Sequence, residues 1–249
     1  MDGIDITRFA AKNTLPVLFF DEVTSTNDIA RAQNTDCAVV AFSQTAGRGR
    51  KGRTFLSPVG GLYMSVSRRL TKMTPEEAPT LTAFVCVAVC HAVERVCGVS
   101  PQIKWVNDLY VNGKKVCGIL TEAATDENGL KVTVGIGINV FSSENDLSPV
   151  GGAPLMNAET PFVREKLAAA ILDGLASFEE DCVSKSWLAD YRRRSFLLGE
   201  KIRCFVGETA FDAVANEIDD RGGLVVTLPN GEPLTLFSGE ITIRRGTSV

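Results

Sequence analysis

Leu109-Tyr110-Val111-Asn112-Gly113-Lys114-Lys115-Val116-Cys117-Gly118-Ile119-Leu120-Thr121-Glu122 is the stretch whose reading decides the fold. Strand-forming residues flank Asn112-Gly113, the dipeptide that best tolerates the positive φ angles of a two-residue hairpin turn. The spacing predicts strands over 109–111 and 114–122. A further turn at Asp126–Gly129 leads into Lys131–Val140, so the centre of the chain reads as an antiparallel sheet. Parity divides this last strand into two faces. Val132, Val134, Ile136, Ile138 and Val140 form a core face, and Thr133, Gly135, Gly137 and Asn139 form the other. Two bare positions on that second face suit either a ligand groove or a bent strand. Lys115 and Gly118 have opposite parity, so both reach one ligand only if their strand is bulged or the ligand wraps its end.

Outward toward the N-terminus, Val17–Phe20 reads as a short strand. Ser25 and Asp28 read as the cap and acidic first turn of a helix reaching about Gln33. Ala38–Phe42 is a buried strand, and Leu62–Arg68 alternates as another. Pro75-Glu76-Glu77 opens an apolar helix that extends to about Cys97. In the other direction, Pro149 to Pro161 is a loop, and Pro161 to about Arg194 is helical with a break near Ser184. From Gly199 short strands alternate with turns at Asp219–Gly223 and Pro229–Glu232, ending in Leu234–Phe237 and Glu240–Arg244. The pattern predicts an α+β domain over 1–196, with a mixed, mostly antiparallel sheet, and a small β-barrel over 197–249.

Composition removes several classes. With 45% apolar residues the chain is no disordered segment, and 26 Lys+Arg against 30 Asp+Glu makes it a poor general binder of nucleic-acid backbone. Seven cysteines, an odd number without a CxxC, argue against a disulfide framework and for a reducing cytosol. Cys86, Cys90 and Cys97 share a helix face beside His91, the single histidine. Buried small hydrophobes fit that spacing better than a metal cluster. One histidine without a companion motif also disfavours Ser–His–Asp and Cys–His catalysis. The apolar stretch Leu81–Val93 is too short to span a bilayer, and the first residues lack a signal peptide, so a cytoplasmic protein without membrane partners is expected.

Chemistry concentrates in Gly47-Arg48-Gly49-Arg50-Lys51-Gly52-Arg53. Four cations and three glycines make neither a core nor a stable helix. Arginine forks onto phosphate or carboxylate, and glycine lets the backbone approach a ligand. The run matches GxGxxG, yet Thr54-Phe55-Leu56-Ser57-Pro58 follows where a Rossmann helix should. On pattern alone it is a small-anion site, a nucleic-acid patch or a solvated loop. Lys104-Trp105-Val106-Asn107-Asp108 is likewise either a turn or a site.

Taken in chain order, five segments resemble biotin protein ligases. They are Ser25-Thr26-Asn27, Gln44 through Arg53, Lys104-Trp105-x-Asn107-Asp108 followed by Lys115 and Gly118-Ile119-Leu120, Gly135-x-Gly137-Ile138-Asn139, and Ser238 through Arg244. The likeness runs from about Phe19 to Arg244. It implies a class II synthetase-like catalytic domain with an SH3-like C-terminal barrel. It implies ATP-dependent conversion of biotin to biotinyl-5′-AMP, followed by transfer to a lysine of a biotin carboxyl carrier protein domain. The resemblance puts Ser25, Thr26, Asn27, Gln44, Gly47, Arg48, Lys115 and Gly118 around biotin. It puts Arg50, Arg53, Phe55, Lys104, Asn107, Asn139 and Arg244 on ATP and the adenylate, with Arg48, Arg50 and Lys115 carrying the chemistry. Magnesium is implied by the nucleotide, with Asp108 as the one candidate ligand. Phe55 stands where many members have a tryptophan over the adenine, and Val106 replaces a usual proline. The resemblance leads us to expect a ligase-only form that binds no DNA, because the residues ahead of Leu15 leave no room for a winged helix. The resemblance also implies pairing through the central sheet, as in some relatives, so an exposed edge here offers a homodimer while the oligomeric state stays open. A lipoate or octanoate ligase or transferase, an inactive relative and a nucleic-acid module using Arg48–Arg53 are the competing readings.

Overall fold

The computed structural model describes residues 9–74, 77–127 and 129–243. Its first sheet contains β1 (Val17–Val23), β2 (Cys37–Gln44), β3 (Leu62–Leu70), β4 (Gln102–Lys104), β5 (Asp108–Val111), β6 (Lys114–Asp126) and β7 (Gly129–Ile138). The strand order is β1-β2-β3-β7-β6-β5-β4. β1 runs parallel to β2, and the other pairings are antiparallel. The hairpin forms as its turn dipeptide predicts: Asn112 and Gly113 have φ of 50° and 74°.

The faces also follow parity. Val40, Met64, Val134 and Ile136 are buried on one side, where α2 (Ala78–Cys97) packs on the sheet. The opposite face carries Ser65, Gly135 and Gly137 and is covered by α1 (Thr26–Ala32). Between β7 and the second sheet lie α3 (Glu144–Leu147), α4 (Val163–Gly174), α5 (Phe178–Ser184) and α6 (Leu188–Arg194).

Two helical expectations change. The expected opening of α2 at Pro75 and Glu76 lies outside the described residues. The helix runs for 20 residues, and its Thr80–Cys97 part is long and apolar enough to cross a bilayer, which the shorter run Leu81–Val93 is not. Its 72% burial, against the sheet and α4, accounts for that apolarity as core packing. The second helical region breaks twice, after Gly174 and again at Lys185, whose φ of 56° is left-handed.

The C-terminal texture becomes a five-stranded antiparallel sheet, consistent with the expected SH3-like domain. It consists of β8 (Lys201–Val206), β9 (Thr209–Ile218), β10 (Leu224–Thr227), β11 (Pro233–Leu236) and β12 (Glu240–Ile243). Trp105 Nε1 donates to Gly222 O at 2.9 Å and Arg192 Nε to Ile218 O at 2.7 Å, tying this sheet to the first. Cys37, Cys86, Cys90, Cys117, Cys182 and Cys204 are buried and unpaired, as the hydrophobe reading expects. His91 sits 2.8 Å from Asp190 on the exposed flank of α2, away from the cleft described next.

Candidate active site

Ser25 starts α1 by accepting from the Asp28 amide at 3.4 Å, which seats Thr26 and Asn27 in the buried first turn. The Thr26 amide and hydroxyl lie 2.8 and 3.1 Å from Gln44 Oε1, and Gln44 Nε2 donates to Ser57 Oγ. Beneath them the fully buried Ser65 Oγ stands 2.6 Å from Asn27 Oδ1 and 2.8 Å from Thr26 Oγ1. Asn27 Nδ2 donates to Glu122 Oε2 at 2.9 Å. A polar pocket with both donors and acceptors therefore opens on the small-residue face of the sheet.

Next to it the β5–β6 register slips. Leu109 pairs with Cys117 and Tyr110 with Lys115, leaving Val116 as the extra residue. This bulge brings Lys115 and Gly118, of opposite parity, to one cleft. Lys115 Nζ lies 2.7 Å from Asp108 Oδ1. The Trp105–Val106 peptide just before is cis.

The basic segment arches over this floor. Its backbone closes on itself, Gly49 N to Arg53 O at 2.7 Å and Phe55 N to Gly47 O at 2.9 Å, with left-handed residues at Lys51 and Gly52. Arg48 reaches Asp28 at 2.6 Å and Glu122 at 2.8 Å, and the hydrogen bond to Asp28 holds its pKa above the ordinary arginine value. Arg50 Nη1 donates to Asn107 Oδ1 at 3.0 Å. Arg53 Nη2 lies 2.7 and 2.8 Å from the Glu240 oxygens, joining the segment to β12.

One cleft, with about 880 Å³ of empty space counted out to its mouth, gathers most of the anticipated residues. Ser25, Thr26, Asn27, Gln44, Arg48, Arg50, Arg53, Phe55, Asn107, Asp108, Lys115 and Gly118 line it. Gly47 does not. A side chain there would meet the Phe55 carbonyl and Ser57, so this glycine allows close packing of the segment's start. Lys104 also stands off the lining, with Nζ 5.8 Å from the centre of the Tyr110 ring and its pKa lowered by burial. Asn139 follows β7 and is buried, with an Oδ1 that has no partner among the described residues. Arg244 lies outside the described residues.

Gly135 and Gly137 line the cleft, as the groove reading allows, and the groove is partly filled by other side chains. The place of a Gly135 side chain is taken by the Asn27 amide. The place of a Gly137 side chain, and that of its cross-strand partner Gly118, is taken by the Phe55 ring. Glycine was needed because side chains of other elements lie on the strand.

Sequence reasoning passed over Glu122, Ser65 and Glu240. Glu122 carries a legible signal, since it shares the parity of Gly118 and Leu120 and so faces the cleft. Each carboxylate here is paired: Asp28 and Glu122 with Arg48, Glu240 with Arg53, and Asp108 with Lys115. Among the described residues no three His, Cys, Asp or Glu side chains come together. The cleft's donor set therefore does not fit a protein-built magnesium cage.

The model of the Biotin/lipoate A/B protein ligase family matches residues 19–139, the segment that holds most of this cleft. The biotin–[acetyl-CoA-carboxylase] ligase of Paracoccus denitrificans is 31% identical over 213 residues, covering 78% of this chain and 85% of that protein. The bifunctional ligase/repressor BirA of Bacillus subtilis is 39% identical over 137 residues, but these cover 52% of this chain and only 42% of that longer relative. Among solved structures, the biotin protein ligase from Aquifex aeolicus in complex with biotin and ATP superposes with a TM-score of 0.70 at 29% identity, covering 93% of this chain and 99% of that one. With sequence and overall fold agreeing over most of the length, the chain belongs to the biotin protein ligase family.

Proposed function

We propose that this protein activates biotin with ATP and transfers it to a lysine of a biotin carboxyl carrier protein domain. The observation that carries the reading is the convergence of a neutral polar pocket and a cationic wall in one cleft. Ser25, Thr26, Asn27 and Gln44 supply the hydroxyl and amide groups that a buried ureido ring requires. Arg48, Arg50, Arg53 and Lys115 supply the positive charge under which two anions can meet. The solved relative with biotin and ATP bound, from Aquifex aeolicus, supports the same pair of ligands.

In this reading the biotin carboxylate oxygen attacks the α-phosphorus of ATP, and pyrophosphate leaves. Lys115, poised by Asp108 at 2.7 Å, neutralises the carboxylate and the charge that builds on the phosphoryl oxygens. Arg50, oriented by Asn107, and Arg53 hold the phosphates in line. The incoming lysine amine then attacks the biotinyl carbonyl, forming the amide and releasing AMP. Magnesium would arrive on the nucleotide's phosphates and offset their charge, as that ion commonly does. Seven unpaired cysteines fit a reducing compartment such as the cytoplasm.

A lipoate ligase is the nearest rival, because the matching family model spans both activities. Purified protein with ATP, magnesium and either biotin or lipoate separates them through pyrophosphate release. Release with biotin, reduced ~100-fold or more in Lys115→Met, is the expected result. Release with lipoate alone would overturn the reading.

A further inference from the structure

Glu122 uses its two carboxylate oxygens on two different parts of the cleft. Oε2 accepts from Asn27 Nδ2 at 2.9 Å, at the floor of the polar pocket. Oε1 accepts from Arg48 Nη2 at 2.8 Å, at the root of the basic segment. Arg48 also reaches Asp28 at 2.6 Å, and Arg31 stands 2.8 Å from Asp28 and 3.7 Å from Glu122. Two cations and two anions thus alternate at the rim. Glu122 is the member of this cluster that also binds the pocket floor.

The chain around Glu122 is built to hold that position. It lies on β6, four residues beyond Gly118 and opposite Thr133 of β7, so a strand rather than a loop sets its direction. Asn27 is restrained at its other end by Ser65 and packs into the space left by Gly135. The amide is therefore oriented with oxygen toward Ser65 and nitrogen toward Glu122. Arg48 turns to these acids, and Arg50 and Arg53 turn to Asn107 and Glu240.

We infer that Glu122 is a positioning residue that latches the basic segment shut through Arg48 and ties the latch to the pocket floor through Asn27. This rests on the ligase reading for its consequence, biotin binding, but not for the latch itself. Glutamine at 122 retains an oxygen for Asn27 and removes one of the two carboxylate charges that hold Arg48. Alanine removes both. The two substitutions therefore separate the halves of the device.

The test follows limited trypsin cleavage within residues 48–53 in ligand-free protein, with fragments identified by mass. Glu122→Gln should be cut about fivefold faster than the unaltered protein, the loss expected for one partly exposed ion pair. Raising salt should speed cutting of both proteins but less steeply in Glu122→Gln, which has lost one of the pairs that salt screens while keeping those of Arg48 with Asp28 and of Arg53 with Glu240. In pyrophosphate release the same variant should raise the KM for biotin about fivefold with kcat within about twofold, and Glu122→Ala should raise KM further. Melting curves accompany each variant, so a globally loosened fold is seen directly.

Equal cleavage rates and salt responses in unaltered protein and Glu122→Gln would overturn the latch. So would an enhancement of cleavage spread over the whole chain with a lowered melting point, or a fall in kcat at constant KM. Absence of biotin-dependent turnover in the unaltered protein would defeat the ligase reading and leave the cleavage result to decide the latch.

Discussion

Gly135→Ala offers a prediction whose sign depends on the structure. In the middle of a strand, alanine ordinarily stabilises by roughly 0.5–1 kcal/mol over glycine, and Gly135 is not in the left-handed region that would forbid it. Here the added methyl would overlap Asn27 Oδ1 and approach Cγ to 2.9 Å. Asn27 cannot retreat without giving up Ser65 at 2.6 Å or Glu122 at 2.9 Å. Overpacking costs about 1–3 kcal/mol, and each hydrogen bond lost costs about 1 kcal/mol. The expected net destabilisation, after the ordinary gain is subtracted, is about 1–3.5 kcal/mol, read by chemical denaturation. At this chain length that corresponds to a fall in Tm of roughly 2–14 °C. Biotin affinity by calorimetry should fall as well, because the displaced amide borders the pocket. Asn27→Ala combined with Gly135→Ala removes the clash and should cost less than the sum of the single changes. A Gly135→Ala protein at least as stable as the unaltered one, with unchanged biotin affinity, would refute this account of the pocket floor.

Three further outcomes follow from other regions. Arg194, Arg193 and His91 hydrogen-bond Asp190 and outweigh the opposing effect of its burial, holding its pKa at about 2. A depressed carboxylate stabilises fully above its unfolded value and loses that contribution as pH falls toward 2. Asp190→Asn should therefore flatten the decline of stability between about pH 5 and 2 in denaturation curves. Burial pushes the thiols of Cys90 and Cys97 up to about 12 and 11, so a thiol reagent at neutral pH should modify the folded protein slowly, half-buried Cys97 first, and all seven cysteines after denaturation. Trp105→Phe loses the bond to Gly222 and the pyrrole half of a buried indole, which should cost at least about 1 kcal/mol in denaturation.

The sheet was legible because its signals are local. Asn112-Gly113 requires positive φ, and the alternation in 132–140 assigns faces without reference to anything distant. Even the bulge at Val116 was foreshadowed by the opposed parity of Lys115 and Gly118. Helix ends were less legible: the break at Lys185 was anticipated near Ser184, but the one after Gly174 was not, since composition does not reveal where packing replaces an apolar run. The site's residues were recognisable as types in order, but their partners were not. Nothing near Arg48 in sequence points to Glu122, 74 residues away, nor anything near Arg53 to Glu240 on another sheet. Gly135 and Gly137 line the cleft as their bare face suggested, but nothing local announced that Asn27 and Phe55 would lie on them. Long-range pairing decides such details, and a single sequence carries it only as parity and composition.

The central claim is that this cleft carries biotin from free acid to protein-bound amide. Its most direct test is the intact mass of a biotin carboxyl carrier domain after incubation with the protein, ATP, magnesium and an equal mixture of biotin and lipoate. A single biotinyl group on one lysine, absent with Lys115→Met, is the predicted result. A lipoyl group, or an acceptor left unmodified by active, folded protein, would contradict it.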